Sequence, residues 1–189
     1  MKIVEEAVKP LAINPKKFAM WLFVASIAML FAAFTSAYLV RQAEGNWLIF
    51  ELPTLFWTNT LVILVSSLTL HSAYWAVKRD QLEWVKWGVL VTFILGMAFL
   101  VGQYMAWGKM VEQKVYFVGN PSGSFVYVIS GLHGLHIVGG LVFLLIVLFN
   151  TFKYKIHSQN RLQMEMCITY WHFLGALWLY LFIFLHLNR

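Results

Sequence analysis

Ser124–Asn150, SFVYVISGLHGLHIVGGLVFLLIVLFN, runs for 27 residues without an aspartate, glutamate, lysine or arginine. As a helix rising about 1.5 Å per residue, it exceeds the roughly 30 Å of a bilayer's hydrocarbon core. It therefore reads as a membrane span. Two histidines inside it, His133 and His136, lie three residues apart and share one helical face. They are either ligands for a metal or haem, or polar pins between helices.

The rest of the chain supports lipid as the main solvent. Of its 189 residues, 61% are hydrophobic and 12% charged, against about 25% charged in an average soluble domain. A single cysteine, Cys167, excludes an internal disulfide framework and any multi-cysteine metal site. The net charge is +6, but the basic residues sit between apolar runs rather than in one patch, so no nucleic-acid partner is implied. The opening MKIVEEAVKPLAINPKK lacks the apolar core and cleavage site of a secretory signal. Residues 1–17 are expected to form a short cytoplasmic arm.

Hydropathy places five spans at about 18–40, 54–77, 86–108, 124–150 and 164–187. The expected fold is an all-α integral membrane bundle of five transmembrane helices, one domain over residues 18–187. Lys2, Lys9, Lys16, Lys17, Lys78, Arg79, Lys86, Lys153, Lys155 and Arg161 fall on one side, and only Arg41, Lys109, Lys114 and Arg189 on the other. Positive residues stay cytoplasmic, so the N-terminus is expected inside and the C-terminus outside. Trp47, Trp57, Trp84, Trp87 and Trp107 lie near span ends, as interfacial anchors should. Lys86 is close enough to an end to snorkel, and Glu165 falls in the first turn of the last span, where the helix dipole favours an anion. No acid lies at mid-membrane and no pair of spans is broken, which argues against a proton-coupled transporter.

The first span carries small residues at helical spacing: Ala25, Ala28, Ala32 and Ser36 on one stripe, Ser26, Ala33 and Ala37 on the next. Such faces let helices approach closely in lipid. The second span is polar, with Thr60, Ser67 and His71 on one face and Asn59 and Ser66 beside it. Interhelical hydrogen bonding explains this; a hydrated path or a headgroup site near His71 is the alternative, and a channel or transporter the corresponding function. His133, His136 and His172 are expected at comparable depth, pointing into the bundle because an unpaired imidazole is costly there. His172 opposite His133 or His136 would suit a bis-histidine haem, with Gly131, Gly134, Gly139 and Gly140 clearing space. Zinc or di-iron would need three or four ligands, and no mid-span carboxylate is available. The reading preferred from the residues is an interhelical polar network of His133, His136, Glu165 and His172.

SGSFVYVISGLHGLHIVGG followed by YWHFLGALWLYLFIF resembles the two signature spans of subunit III of the haem–copper respiratory oxidases, the cytochrome c oxidase subunit III family. The matching residues include Gly131, Gly134, Tyr170, Trp171 and Phe173, together with the three histidines. TNTLVILVSSLTLHSA, with Asn59, Thr60, Ser66 and Ser67, resembles a third family span. ILGMAFLVGQYMAW, with Gln103, resembles a fourth, and Glu165 matches the acid ahead of the Tyr-Trp-His-Phe motif. The likeness covers residues 18 to 187 and fits the short five-helix bacterial form. Ile27, Ala106 and Gly175 stand where the family often carries acids.

The resemblance implies a non-catalytic subunit of a terminal oxidase in the bacterial cytoplasmic membrane. Catalytic, haem, copper and other metal sites are expected in partner subunits I and II, not in this chain. It further implies packing on subunit I, support of stability and proton uptake, and phospholipids held in a cleft, here expected between the first two spans and the last three. Arg41, His71, Lys78 and Arg79, with Lys16 and Lys17, are candidate headgroup contacts by charge. Membership of a larger respiratory supercomplex is left open. A quinol oxidase of the same superfamily is the alternative, and a small b-type cytochrome a more distant one.

Overall fold

The computed structural model describes residues 14–154, 156 and 160–188. Lys2, Lys9, Lys155 and Arg189 of the charge count, and most of the expected N-terminal arm, lie outside them. Five helices follow in order: α1 Pro15–Ala43, α2 Leu55–Lys78, α3 Leu82–Glu112, α4 Pro121–Phe152 and α5 Leu162–Leu187. All five are long and apolar enough to cross a membrane, and no strand occurs among the described residues. Four of them outrun the hydropathic spans because helical hydrogen bonding continues past the apolar stretch, while α2 has the 24 residues expected. The 32 residues of α4 rise about 48 Å, well over the hydrocarbon thickness.

Two helices begin with the same device. Asn14 and Asn120 precede prolines at the first helical position, and each side chain accepts a hydrogen bond from the backbone two residues on, at 3.0 Å. Proline gives up an amide that has no helical partner there, and the asparagine satisfies another. Asn120 also accepts from the Leu48 amide at 3.3 Å and donates to the Asn46 carbonyl at 3.1 Å. Ser122 donates to the Leu48 carbonyl at 2.8 Å. The α1–α2 connection is thereby tied to the start of α4.

Helices α2, α3, α4 and α5 form a closed ring in which each packs on two neighbours, and α1 lies outside it against α4 and α5. The α2–α3 contact is the most extensive. Its cause is local: only residues 79–81 separate the two helices, so they must return antiparallel. Gly88 permits the close approach, since a Cβ there would stand 2.7 Å from the Ala73 Cβ. Helix α1 does not touch α2. This corrects the expected grouping of the first two spans against the last three: the longer connection 44–54 carries the chain across, and α2 joins the ring. The open groove lies between α1 and α2, with α5 as its floor.

The core runs through Phe31, Ile63, Phe99, Leu144, Trp171 and Trp178, all almost completely buried. Large apolar side chains also cover the outside, Met29 and Tyr104 being 73% and 75% exposed; lipid is the solvent that such a surface suits. Ile27 and Ala106, two of the positions where an acid was to be looked for, are buried in this apolar interior. At the third, Gly175, the Ser67 hydroxyl would lie 3.0 Å from any Cβ. The basic residues Lys16, Lys17, Lys78, Arg79, Lys86, Lys153 and Arg161 gather at the bundle end that holds the starts of α1, α3 and α5. Of the expected interfacial tryptophans, Trp57, Trp84 and Trp87 are exposed. Trp47 instead packs on Tyr38 and Phe125, and Trp107 turns inward to donate to Ser130 at 3.0 Å.

Candidate functional site: the polar seam on the last helix

Helix α5 presents a tyrosine, two tryptophans and a second tyrosine, and each reaches a neighbouring helix. Trp171 Nε1 donates to Ser66 Oγ, and Trp178 Nε1 to Thr60 Oγ1, both at 3.0 Å. Ser66 and Thr60 spend their own protons on the carbonyls of Ile63 and Phe56 within α2, at 2.8 Å each. Their oxygens are then free to accept, and each indole finds the single acceptor it needs. Seven residues separate the tryptophans and six the hydroxyls, so antiparallel packing brings both pairs into register. Tyr170 donates to the His136 carbonyl on α4 at 3.2 Å, and the Tyr180 hydroxyl meets that of Thr35 on α1 at 3.0 Å. Every neighbour of α5 is thus pinned to it.

The second polar contact joins α2 to α3. Asn59 Nδ2 donates to Gln103 Oε1 at 3.4 Å, and the Thr69 and Thr92 hydroxyls meet at 2.8 Å. Gly102 has no room for a side chain because the Asn59 amide fills that space. Gly131 faces the Trp107 ring and Gly134 faces Leu100, and Phe173 packs half-buried against the core.

Of the four residues expected in one or two interhelical hydrogen-bond sets, the Glu165 and His172 side chains reach other helices and those of His133 and His136 do not. His133 is fully buried, yet neither ring nitrogen has a hydrogen-bond partner in the protein. Its neighbours are rings: Trp178 at 5.1 Å between centroids, Phe99 at 5.8 Å and Phe31 at 6.4 Å. His136 Nδ1 bonds the Leu132 carbonyl of its own helix at 2.7 Å, while its ring lies edge-on to Phe31. His172 turns to α2, where its Nε2 stands 3.4 Å from His71 Nδ1. Glu165 is held at the basic end by Lys17 at 2.6 Å, Arg161 at 3.0 Å and the Tyr74 hydroxyl at 3.3 Å. The reason is rotational: His172 belongs to the groove face of α5, whereas His133 faces the ring interior. The same geometry separates His172 from the two histidines once weighed as its haem partner. Among the described residues no three histidine, cysteine, aspartate or glutamate side chains gather as a metal site.

The candidate headgroup contacts are scattered. Arg41 pairs with Glu44 at 3.2 Å and lines a groove of about 860 Å³ between α1 and the start of α4. Lys78 lies over the Tyr74 ring at 4.5 Å. Arg79 borders a groove of about 430 Å³ walled by Trp75, Trp84 and Trp87. Lys86, expected to snorkel, pairs with Glu83 at 2.6 Å.

Sequence reasoning missed Trp178, Thr92 and Tyr180. A signal for Trp178 exists: it stands two turns from Trp171 on one face, and a second indole in an apolar span needs a second hydroxyl.

Comparison with known proteins bears on the whole chain. Residues 12–188 match the family described as cytochrome c oxidase subunit III. The chain is 28% identical over 180 residues to the cytochrome bo(3) ubiquinol oxidase subunit 3 of Buchnera aphidicola, covering 93% of this chain and 95% of that protein. It is 29% identical over 170 residues to the probable cytochrome c oxidase subunit 3 of Mycobacterium tuberculosis, covering 86% and 80%. A cytochrome c oxidase subunit 3 from a Bacillus species is 26% identical over 172 residues, covering 88% and 83%.

Proposed function

Because the chain belongs to the cytochrome c oxidase subunit III family and is a multi-pass protein of the bacterial cytoplasmic membrane, we propose that it is the non-catalytic third subunit of a terminal haem–copper oxidase. In this reading it packs on subunit I and steadies an oxygen-reducing, proton-pumping core whose haem and copper lie in subunits I and II. The observation that carries it is the match over residues 12–188, which takes in all five helices and the whole of the α5 seam. The seam is suited to a scaffold: the Tyr170 hydroxyl and the Trp171 and Trp178 indoles are spent on the His136 carbonyl and on the Ser66 and Thr60 hydroxyls. The basic end faces the cytoplasm by the positive-inside rule. Phospholipids lie against Arg41 and against Arg79 with its three tryptophans, where a cationic head and interfacial rings suit a phosphate and its glycerol.

Electrons come from cytochrome c in the main reading. The similarity to a ubiquinol oxidase subunit over nearly the whole of both chains supports quinol as the second. Purification in mild detergent tests the assignment. The chain is expected to bring with it a haem- and copper-bearing subunit, and repeated recovery of a stable complex lacking one would sink it. Oxygen uptake by that complex with reduced cytochrome c, then with a quinol, decides the donor.

A further inference from the structure

The groove of about 430 Å³ on the outer surface of the α2–α3 hairpin changes character from one end to the other. Arg79 and Gln81, both exposed, stand at its mouth in the turn between the helices. Trp75 and Trp84 follow about one turn inward and Trp87 a little deeper, their rings 56%, 70% and 61% exposed. Thr69 and Val91 close the far end. Ten residues separate Arg79 from Thr69, and ten separate Gln81 from Val91, about 15 Å along either helix. That is half of the roughly 30 Å hydrocarbon core, the depth of one leaflet. Antiparallel packing keeps the two walls in step, with Gly88 against Ala73 and Thr69 against Thr92.

The deep half asks for no polar ligand. Ser72 and Thr69 donate to the carbonyls of Thr69 and Ser66 within α2, at 2.7 and 2.8 Å. The mouth is different. Arg79 makes no ion pair among the described residues, unlike Arg41 with its Glu44. Glu83 is taken by Lys86 at 2.6 Å, and Asp80 is itself partnered. Lys78, Arg79 and Lys86 outnumber these two acids, so this end of the hairpin is net positive. A guanidinium offers a flat fork of donors that matches a phosphate, and indoles favour the level just below it.

We propose that the groove is a site for one anionic phospholipid of the cytoplasmic leaflet, its phosphate on Arg79 and one acyl chain lying along Trp87 towards Val91. The proposal rests on the reading of Arg79 and its tryptophans as a lipid contact, and adds which head is chosen and by what. A zwitterionic head brings its own cation up to Arg79 and Lys78. A head of net negative charge avoids that and gains about fivefold in occupancy for a basic residue at the surface. A transmembrane helix would need a seat through both leaflets, and this one ends at Thr69 and Val91.

The test uses the whole oxidase in phosphatidylcholine vesicles that hold a small fraction of phosphatidylglycerol with a photoreactive diazirine in one acyl chain. The same diazirine chain on phosphatidylcholine is the comparison, and labelled peptides are mapped after irradiation. Residues 69–91 should take up the phosphatidylglycerol probe about fivefold more than the phosphatidylcholine probe at equal mole fraction. The segment around Tyr104, exposed elsewhere on α3, should take up both alike. The preference should fade between about 0.1 and 1 M salt, as the Debye length falls from roughly 10 to 3 Å. It should vanish in Arg79→Gln and largely survive in Arg79→Lys. Equal labelling of residues 69–91 by the two probes, or a preference indifferent to salt, overturns the proposal and leaves the groove as a lipid contact. No labelling there by either probe, with the Tyr104 segment labelled, overturns the lipid contact as well. The salt series needs only the native complex, so it decides even if the Arg79 variants fail to assemble.

Discussion

His133 on α4 and Trp178 on α5 touch each other, 5.1 Å apart between ring centroids, and both are polar rings sealed in the same core. One is satisfied and the other is not. An indole carries a single donor, and one well-placed hydroxyl, Thr60, completes it. An imidazole carries a donor and an acceptor, and this interior offers neither partner to His133. The residues that pin the bundle are therefore the tryptophans of α5, while His133 acts as a flat ring packed edge-on against Phe31 and Phe99.

That contrast can be broken most forcefully at Trp178. Trp178→Ala empties space beside Phe56, Phe99 and His133 and should cost about 3–5 kcal/mol; the subunit is expected to be lost from the complex in a thermal-stability series in detergent. Gly88→Val probes packing without touching a polar group. Its side chain meets Ala73 and should cost about 1–3 kcal/mol, seen as a lower unfolding temperature.

Ser66→Ala removes the acceptor of the Trp171 indole together with the hydroxyl's own bond to the Ile63 carbonyl. An expected loss of about 0.6–2 kcal/mol would show in the same assay, and no loss would mean that the seam contributes shape alone. His133→Leu should change stability least, by less than about 1 kcal/mol either way, because no hydrogen bond is broken and a buried unpaired ring is removed. The haem spectrum of the complex should not move. A loss for His133→Leu as large as that for Trp178→Ala would reverse the roles assigned to the two rings.

The spans, their order and most residues of the seam were legible from sequence, because hydropathy reports which segments enter lipid and a polar residue inside one must find a partner. Thr60 and Ser66 could be marked that way. Their partners could not, since helical periodicity fixes a face on one helix but not the helix opposite. Trp178 therefore went unmarked, and His133 was given a bond it lacks. The grouping of spans also failed. That grouping came from the resemblance, whereas the short turn at residues 79–81 binds α2 to α3 and the connection 44–54 lets α1 go elsewhere.

Helix α1 is made first, yet every contact it has within the bundle is with α4 and α5. The connection that follows it is fastened by Asn120 and Ser122, more than 70 residues later. During synthesis, then, α1 precedes both of the helices it packs on, and the α2–α3 hairpin is made in between. Its packing needs α4 and α5, so a ribosome halted after α3 would leave α1 without either of its helix contacts within the chain. The interval before α4 and α5 emerge is when membrane quality control has its clearest access to this subunit.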